Sequence, residues 1–125
     1  MPMLGHVSFG VADLERAAAF YDAVLAPLGY VRVWSNERGA GFGELGGNDR
    51  LALFARGADA SPPGAGFHLA FDAPDPSAVD AFHAAALAAG GKDAGAPGLR
   101  PRYGPTYYAA FVLDPDGHKL EAVWQ

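Results

Sequence analysis

The sequence contains two copies of one unit, and this internal repeat constrains its fold more than any other feature. A shift of 62 residues places HVSFGVADLERAAAFYDAVLAPLGY (6–30) over HLAFDAPDPSAVDAFHAAALAAGGK (68–92) without a gap, with nine of 25 positions identical. The identical pairs include His6 with His68. Richness in alanine does not explain why histidines, phenylalanines and aspartates pair in register. The repeat therefore predicts two modules of similar structure.

A second match lies at the end of each copy. A shift of 69 residues aligns FGELGGNDRLALF (42–54) with FVLDPDGHKLEAV (111–123), again without a gap. In both copies a turn sequence, GGND or DPDG, separates the last two apolar runs. Turn residues between short apolar runs are typical of neighbouring strands. The end of each copy is therefore predicted to consist of strands.

Each copy is predicted to contain one strand, one helix and three further strands. In the first copy Val7, Phe9 and Val11 share one face of the first strand, because apolar residues alternate with small or polar ones. Asp13 in the first copy and Asp75 in the second are predicted helix N-caps. The later strands are predicted near 30–35, 40–45 and 51–55 in the first copy, and near 92–94, 107–113 and 119–124 in the second.

This pattern predicts an α+β fold of two tandem βαβββ modules. The chain of 125 residues is close to the commonest domain size, and half of its residues are hydrophobic, which is ample for a core. We therefore expect a single domain over 1–125. Within it, module 1 is assigned to 1–57, a linker rich in proline and glycine to 58–66, and module 2 to 67–125.

Composition and charge argue against several classes of protein. The formal net charge of −5 disfavours binding to nucleic acid, which requires a clustered basic face. The absence of cysteine excludes a disulfide framework, a thiolate metal site and a cysteine nucleophile. No apolar run approaches the ~20 residues that span a bilayer, and the first residues do not form a targeting leader. We expect a cytoplasmic protein that acts on a small molecule.

Three side chains suited to metal binding share the face that points away from the apolar side of their strands. Alternation places His6, His68 and Glu121 on this face. If the strands curve into one sheet, the three side chains converge in its concavity. Two histidines and one carboxylate bind a divalent transition metal facially and leave positions open for a substrate. The residue that matches Glu121 in module 1 is Ala52, which cannot ligate, so three protein ligands are predicted.

The segment GLRPRYGPTYYAAF (98–111) is predicted to be a loop beside the metal site. Tyr107 and Tyr108 alternate, so one of them should face the concavity and is a candidate to hydrogen-bond a developing oxyanion, together with Glu121 as a candidate proton carrier. Trp34 is a candidate pocket wall. The other candidate substrate-binding residues of this loop are Arg100, Arg102 and Tyr103. The remaining histidines, His83 and His118, lie on the wrong faces and are excluded as ligands.

The whole pattern resembles the vicinal oxygen chelate superfamily, which includes glyoxalase I, extradiol dioxygenases, bleomycin-resistance proteins and fosfomycin-resistance thiol transferases. The resemblance covers essentially the whole chain and is carried by GHVSFGVADLERAAAFYDAVLAPLGY, FHLAFDA and AAFVLDPDGHKLEAVWQ. It implies a cupped, incomplete eight-stranded barrel around one divalent metal (Fe, Mn, Zn, Ni or Co), with His6, His68 and Glu121 on the ligand positions. Ala52 falls where glyoxalase I has its fourth ligand, which argues against glyoxalase I activity itself.

The resemblance leaves the subfamily open. Two histidines and one glutamate resemble the ligands of extradiol dioxygenases and of fosfomycin transferases, and the ending DPDGHKLEA resembles the latter. Ser8 lies two residues after His6, where fosfomycin transferases carry a hydroxyl, and is therefore a candidate substrate-binding residue. Small members of the superfamily typically pair, so we expect a homodimer. Its metal cup is completed either within one chain or across a swapped pair of chains.

Two functions are compatible with these features. The first is a divalent-metal-dependent enzyme of the lyase or isomerase, dioxygenase or thiol transferase type, acting on a small substrate with vicinal oxygens. The alternative is a metal-free binding protein of the bleomycin-resistance type, which sequesters a small molecule. The complete set of His6, His68 and Glu121 favours the enzyme, because a sequestering protein has no need of all three.

Overall fold

The computed structural model describes residues 3–125. Its elements alternate in the order predicted from the repeat. They are β1 (Val7–Val11), α1 (Leu14–Leu25), a 3-10 turn (Ala26–Leu28), β2 (Val31–Ser35), β3 (Gly39–Gly43), β4 (Asp49–Ala55), a second 3-10 turn (Gly57–Asp59), β5 (Leu69–Asp72), α2 (Pro76–Ala88), β6 (Lys92–Leu99), β7 (Tyr108–Leu113) and β8 (Lys119–Trp124).

The eight strands form two four-stranded sheets with the same topology. The strand order is β1-β4-β3-β2 in the first sheet and β5-β8-β7-β6 in the second. In each sheet the first and last strands of the module run parallel, and the other neighbours are antiparallel. The predicted α+β fold of tandem βαβββ modules is confirmed. Among residues 3–125 the two sheets are not hydrogen-bonded to each other, so one chain alone forms two open sheets and not one continuous eight-stranded cup.

Both helices begin where the sequence predicts. The carboxylate of Asp13 accepts a hydrogen bond from the backbone N–H of Arg16 at 3.1 Å, and Asp75 accepts one from Ala78 at 2.8 Å. Each cap satisfies one of the N–H groups that the first helical turn leaves without a partner. Pro76 stands at the first helical position, where its missing N–H costs nothing.

Strand β6 is longer than the sequence indicates. We predicted a short strand near 92–94 and a loop from 98, whereas β6 continues to Leu99. Two irregularities in its pairing with β7, between Asp93 and Gly95 and between Gly95 and Gly98, make this possible. Because β6 is the edge strand of its sheet, it also tolerates a proline, which lacks an N–H for pairing.

The two modules share one hydrophobic core, in which α1 packs against α2. The core includes Phe20 and Val24 from α1 and Val79 and Phe82 from α2, all buried. Each helix also covers the apolar face of its own sheet. The opposite face of each sheet, which we call its concave face, is therefore turned away from the helices. Neither helix is long and apolar enough to cross a membrane in the part of the chain described.

A buried polar network fastens the β7–β8 turn to module 1. The hydroxyl of Tyr21 on α1 donates to Asp114 at 2.6 Å, and Nδ1 of His118 lies 2.9 Å from the same carboxylate. The imidazole of His118 stacks on Phe9 of β1 with ring centres 4.0 Å apart. Asp116 accepts a hydrogen bond from the N–H of Ala12 at 2.9 Å. His118, excluded as a metal ligand, therefore has a structural environment between the modules.

Candidate functional site

The candidate site lies on the concave face of the second sheet. Glu121 is the third residue of β8, and its register neighbours are Ala70 on β5 and Phe111 on β7. Leu120 and Ala122, on either side of it, point into the core. Strand alternation therefore turns Glu121 away from the helices, as predicted. His68 immediately precedes β5 and lies on the same face.

Glu121 is held by two side chains. Its Oε1 lies 2.9 Å from Nε2 of His68, and its Oε2 accepts a hydrogen bond of 2.5 Å from the hydroxyl of Tyr107. The Glu121 residue is only 2% exposed, while His68 remains open to solvent. Burial and the hydrogen bond to Glu121 raise the pKa of Tyr107 to about 12. Tyr107 consequently keeps its proton at neutral pH and acts as a donor towards the carboxylate.

The spacing of these donors fits a divalent metal. A metal about 2.1 Å from an imidazole nitrogen and a carboxylate oxygen holds those atoms roughly 3.0 Å apart at a bond angle of about 90°. The distance between Nε2 of His68 and Oε1 of Glu121 is 2.9 Å. Imidazole and carboxylate are both ordinary ligands of first-row divalent ions. Module 2 therefore supplies two donors with suitable chemistry and spacing.

His6, the third predicted ligand, lies elsewhere in the same chain. It is exposed just before β1 and lines a separate cavity of about 380 Å³ with Tyr30 and Arg50. Within residues 3–125, no three acidic or histidine side chains come together in one chain as a metal-binding group. A single chain thus brings His68 and Glu121 together but does not add His6 to them.

Module 1 carries the matching half of the repeat. Ser8 pairs with Ala52 in the first sheet as Ala70 pairs with Glu121 in the second. The registers confirm that Ala52 occupies the position equivalent to Glu121, so module 1 offers no carboxylate there. His6 and Ser8 share the parity of Ala52, which places them on the concave side of the first sheet.

The cavity around Glu121 has a volume of about 570 Å³ and is rich in cationic and aromatic groups. Its lining consists of His68, Ala94, Gly95, Arg100, Arg102, Tyr103, Tyr107, Phe111, Lys119 and Glu121. The loop between β6 and β7 contributes its arginines and tyrosines, as predicted. The cavity is open to solvent and large enough for a small metabolite.

The similarity of this chain to known proteins agrees with the geometry. A family model of the glyoxalase/bleomycin resistance protein/dioxygenase superfamily matches residues 3–122. The chain belongs to this superfamily. A solved glyoxalase/bleomycin resistance protein from Albidiferax ferrireducens is 35% identical to it, with a TM-score of 0.85 and 99% of each chain covered.

More distant members of the superfamily share the fold. A glyoxalase-related enzyme from Fulvimarina pelagi is 22% identical, with a TM-score of 0.76, over 100% of this chain and 89% of that one. A glyoxalase I variant from Zea mays is 24% identical, with a TM-score of 0.68, over 94% of this chain and 45% of the longer protein. At these identities the likeness concerns the fold alone. No curated protein matches the chain.

The two adjacent tyrosines face opposite sides of the sheet. Tyr107 lines the cavity and reaches Glu121, whereas the hydroxyl of Tyr108 donates to Asp80 on α2 at 2.6 Å. Strand alternation requires this separation. The prediction that Tyr108 is a catalytic residue is therefore wrong, because its hydroxyl lies on the helix side of the second sheet.

Trp34 and Ser8 belong to the concave face of module 1 and do not line the cavity around Glu121 in the same chain. The indole of Trp34 lies across Gly41, where any Cβ would collide with it. Its ring centre is 6.1 Å from that of Phe54. This face of module 1 is thus a surface of glycine and aromatic groups, with His6 and Ser8 on the first strand.

Sequence reasoning missed four residues of the cavity, Ala94, Gly95, Phe111 and Lys119, of which the last two have the larger side chains. Lys119 precedes Glu121 by two positions on β8, so strand alternation alone places both on one face. Phe111 is the register partner of Glu121 on β7. The signal for Lys119 was present in the sequence, whereas that for Phe111 required the register between the two strands.

Proposed function

We propose that this protein is a divalent-metal-dependent enzyme that acts on a small substrate with two adjacent oxygen atoms. The observation that carries the proposal is the contact of His68 with Glu121 at a spacing of 2.9 Å, inside a cavity and beside the hydroxyl of Tyr107. Membership of the superfamily supports the same reaction class. The proposed chemistry is of the lyase or isomerase, dioxygenase or thiol transferase type.

The residues of the cavity have distinct roles in this proposal. His68 and Glu121 would hold the metal, which would supply Lewis-acid polarisation of the substrate oxygens. Tyr107 restrains one oxygen of Glu121 by its hydrogen bond and so fixes the orientation of the carboxylate. With Oε2 of Glu121 held by Tyr107, Oε1 would keep a fixed position from which it could bind the metal. Ser8 and Trp34 are proposed to contact the substrate from module 1.

The third ligand is proposed to be His6 of a second copy of the chain, in a homodimer. Within residues 3–125 of one chain, α1 packs against α2, and the cavity lined by His6 is not the one lined by His68 and Glu121. His6 and His68 are equivalent in the repeat. An association that places module 1 of one copy over module 2 of another brings His6 towards His68 and Glu121. A two-fold axis then forms two identical sites.

The metal-free alternative is sequestration of a small molecule. The aromatic surface formed by Trp34 and Phe54 suits such a role, since flat apolar groups bind ligands by stacking. However, Arg100, Arg102 and Lys119 make the cavity strongly cationic. A sequestering protein of the bleomycin-resistance type would hold an aromatic or cationic ligand, and this charge disfavours the cationic one. The cavity consequently favours the enzyme.

Metal titration of the full chain tests the proposal. We expect the wild-type protein to bind one Mn²⁺ or Zn²⁺ ion per chain, measured by isothermal titration calorimetry. Glu121→Gln keeps the size of the side chain but removes its charge, and is expected to weaken binding by at least about 100-fold, since even changes to groups behind a ligand cost roughly 10–100-fold. Circular dichroism should show the fold intact.

The control for charge removal is Glu15→Gln, an exposed glutamate in the first turn of α1. It makes the same chemical change far from the cavity and should leave the affinity for metal unchanged. Equal binding of the ion by wild type and Glu121→Gln would mean that Glu121 is not a ligand. The contact between His68 and Glu121 would then be only a structural hydrogen bond.

A further inference from the structure

The cavity around Glu121 gathers an excess of positive charge in an acidic protein. The chain has nine lysines and arginines and a formal net charge of −5. Three of these cations, Arg100, Arg102 and Lys119, line the one cavity, together with a single carboxylate, that of Glu121. A concave site lined by one sign of charge concentrates ligands of the opposite sign. The local charge is therefore opposed to that of the whole chain.

In the part of the chain that the structure describes, these three cations pair with no carboxylate. None of the ion pairs formed among residues 3–125 includes Arg100, Arg102 or Lys119. Glu121 contacts His68 and Tyr107 and forms no ion pair with the three cations, and its single negative charge is outnumbered by their three positive charges. Like charges close together without a counterion repel one another. An anion that enters the cavity relieves this repulsion.

An aromatic ring holds two of the cations. The guanidinium carbon of Arg100 lies 5.6 Å from the centre of the Phe111 ring, and Nζ of Lys119 lies 5.1 Å from the same centre. The guanidinium of Arg100 also donates to the carbonyl of Ala96 at 2.7 Å. Cation–π contacts of this kind position a charge without neutralising it. Both groups consequently keep their full charge for a ligand.

Arg102, the third cation, lies on the side of the cavity near Tyr107, the hydrogen-bond donor to Glu121. The guanidinium carbon of Arg102 lies 5.0 Å from the ring centre of Tyr103, which in turn packs against Tyr107 at 5.3 Å. Tyr107 contacts Glu121. The charged groups thus surround the place where the proposed function puts the adjacent oxygens of the substrate.

We propose that the substrate carries an additional oxyanion group, a carboxylate or a phosphate or phosphonate, which Arg100 and Lys119 bind above Phe111, with Arg102 at the entrance. Guanidinium and ammonium groups form short, charge-assisted hydrogen bonds with such oxygens. This inference rests on the proposed function for the place of the adjacent oxygens. The oxyanion subsite itself is built from one chain and one module, so it does not depend on a metal or on a dimer.

Anion titration of the metal-free full chain tests this subsite. The protein is treated with EDTA, freed of the chelator, and titrated with inorganic phosphate and separately with malonate. Chemical shifts of the backbone amides of Gly95 and Lys119 are followed by NMR. We expect saturable shifts whose affinity falls as NaCl is added, because the attraction is electrostatic. Comparison of the two affinities shows whether the subsite prefers a phosphate-like group or a carboxylate.

Two variants remove one cation each. Arg100→Gln and Lys119→Gln are each expected to weaken anion binding by about tenfold, because each removes one charge-assisted hydrogen bond. Arg38→Gln and Lys92→Gln make the same changes at exposed positions outside the cavity and should bind the anions as wild type does. In the controls Arg38→Gln and Lys92→Gln the affinity for Mn²⁺ or Zn²⁺ should equal that of wild type, whereas Arg100→Gln and Lys119→Gln remove a positive charge near the proposed metal ligands and should not weaken metal binding.

Absence of saturable shifts in the wild type would overturn the inference, as would shifts that survive unchanged in Arg100→Gln and Lys119→Gln. Neither result bears on metal binding by Glu121. Conversely, a wild-type protein that binds phosphate or malonate at these residues but no divalent ion would leave the oxyanion subsite standing and refute the proposed metal-dependent function.

Discussion

Replacement of Asp114 by alanine is expected to lower the free energy of unfolding by about 3–5 kcal/mol, because it removes the buried carboxylate that accepts several hydrogen bonds and leaves their donors unpaired. The carboxylate of Asp114 accepts hydrogen bonds from Tyr21, His118 and the backbone N–H groups of Asp116 and His118. These groups lie between the two modules. Urea denaturation followed by circular dichroism measures the change, and Asp114→Asn provides a milder variant should the alanine variant fold poorly.

The chain offers a matched control in a second pair of histidine and aspartate. Nε2 of His83 lies 2.9 Å from Asp93, the same distance that separates Nδ1 of His118 from Asp114. The side chain of Asp93 is 58% exposed, however, whereas that of Asp114 is completely buried. Exposed pairs contribute at most about 1 kcal/mol, so Asp93→Ala should have a small effect. Similar losses in both variants would show that burial of the network is not the cause.

The hydrogen-bonded network around Asp114 makes the stability of the fold depend on pH. Burial raises the pKa of Asp114, but hydrogen bonds from His118 and Tyr21 lower it further, so that the pKa lies below its ordinary value. A carboxyl group whose pKa is lower in the folded protein stabilises it above the pKa of the unfolded chain, about 3.9, and this contribution is lost as the pH falls through the folded value. The difference in stability between wild type and Asp114→Ala should therefore narrow below about pH 4.

Much of the fold could be predicted because the sequence repeats its local signals. The N-caps Asp13 and Asp75 begin the two helices as expected, because a carboxylate before an apolar run satisfies the first N–H groups. Strand alternation assigned Glu121 to the concave face and separated Tyr107 from its neighbour. These are local properties, since each depends on residues only a few positions apart.

The relation between the modules could not be predicted in the same way. Alternation decides which face of a strand a residue occupies, but not which other sheet that face meets. His6 and His68 are equivalent in sequence, yet they line separate cavities in one chain, in which α1 packs against α2. The extension of β6 was missed for a similar reason, since its bulges at Gly95 and Gly98 depend on pairing with β7.

If a second copy completes the site, two variants that each bind metal weakly are expected to regain strong metal binding when their chains are mixed. His6→Ala lacks the ligand from module 1, and Glu121→Ala lacks one from module 2. Each alone should bind Mn²⁺ at least about 100-fold more weakly than wild type. After exchange of chains at equal amounts, half of the dimers are mixed, and each mixed dimer has one intact site out of two. About one site in four should then bind with wild-type affinity.

A mixture of His68→Ala with Glu121→Ala is the control for this restoration. Both ligands belong to module 2, so every site in a mixed dimer still lacks one of them, and no strong binding should return. The stoichiometry of strong sites, measured by calorimetry before and after chain exchange, separates the two arrangements. If neither mixture regains strong sites while wild type binds the ion, the swapped site is refuted, because a cup completed within one chain cannot borrow His6 from another. Restoration in the first mixture alone requires that the modules of two chains share each metal, since only then do the intact His6 and the intact Glu121 meet.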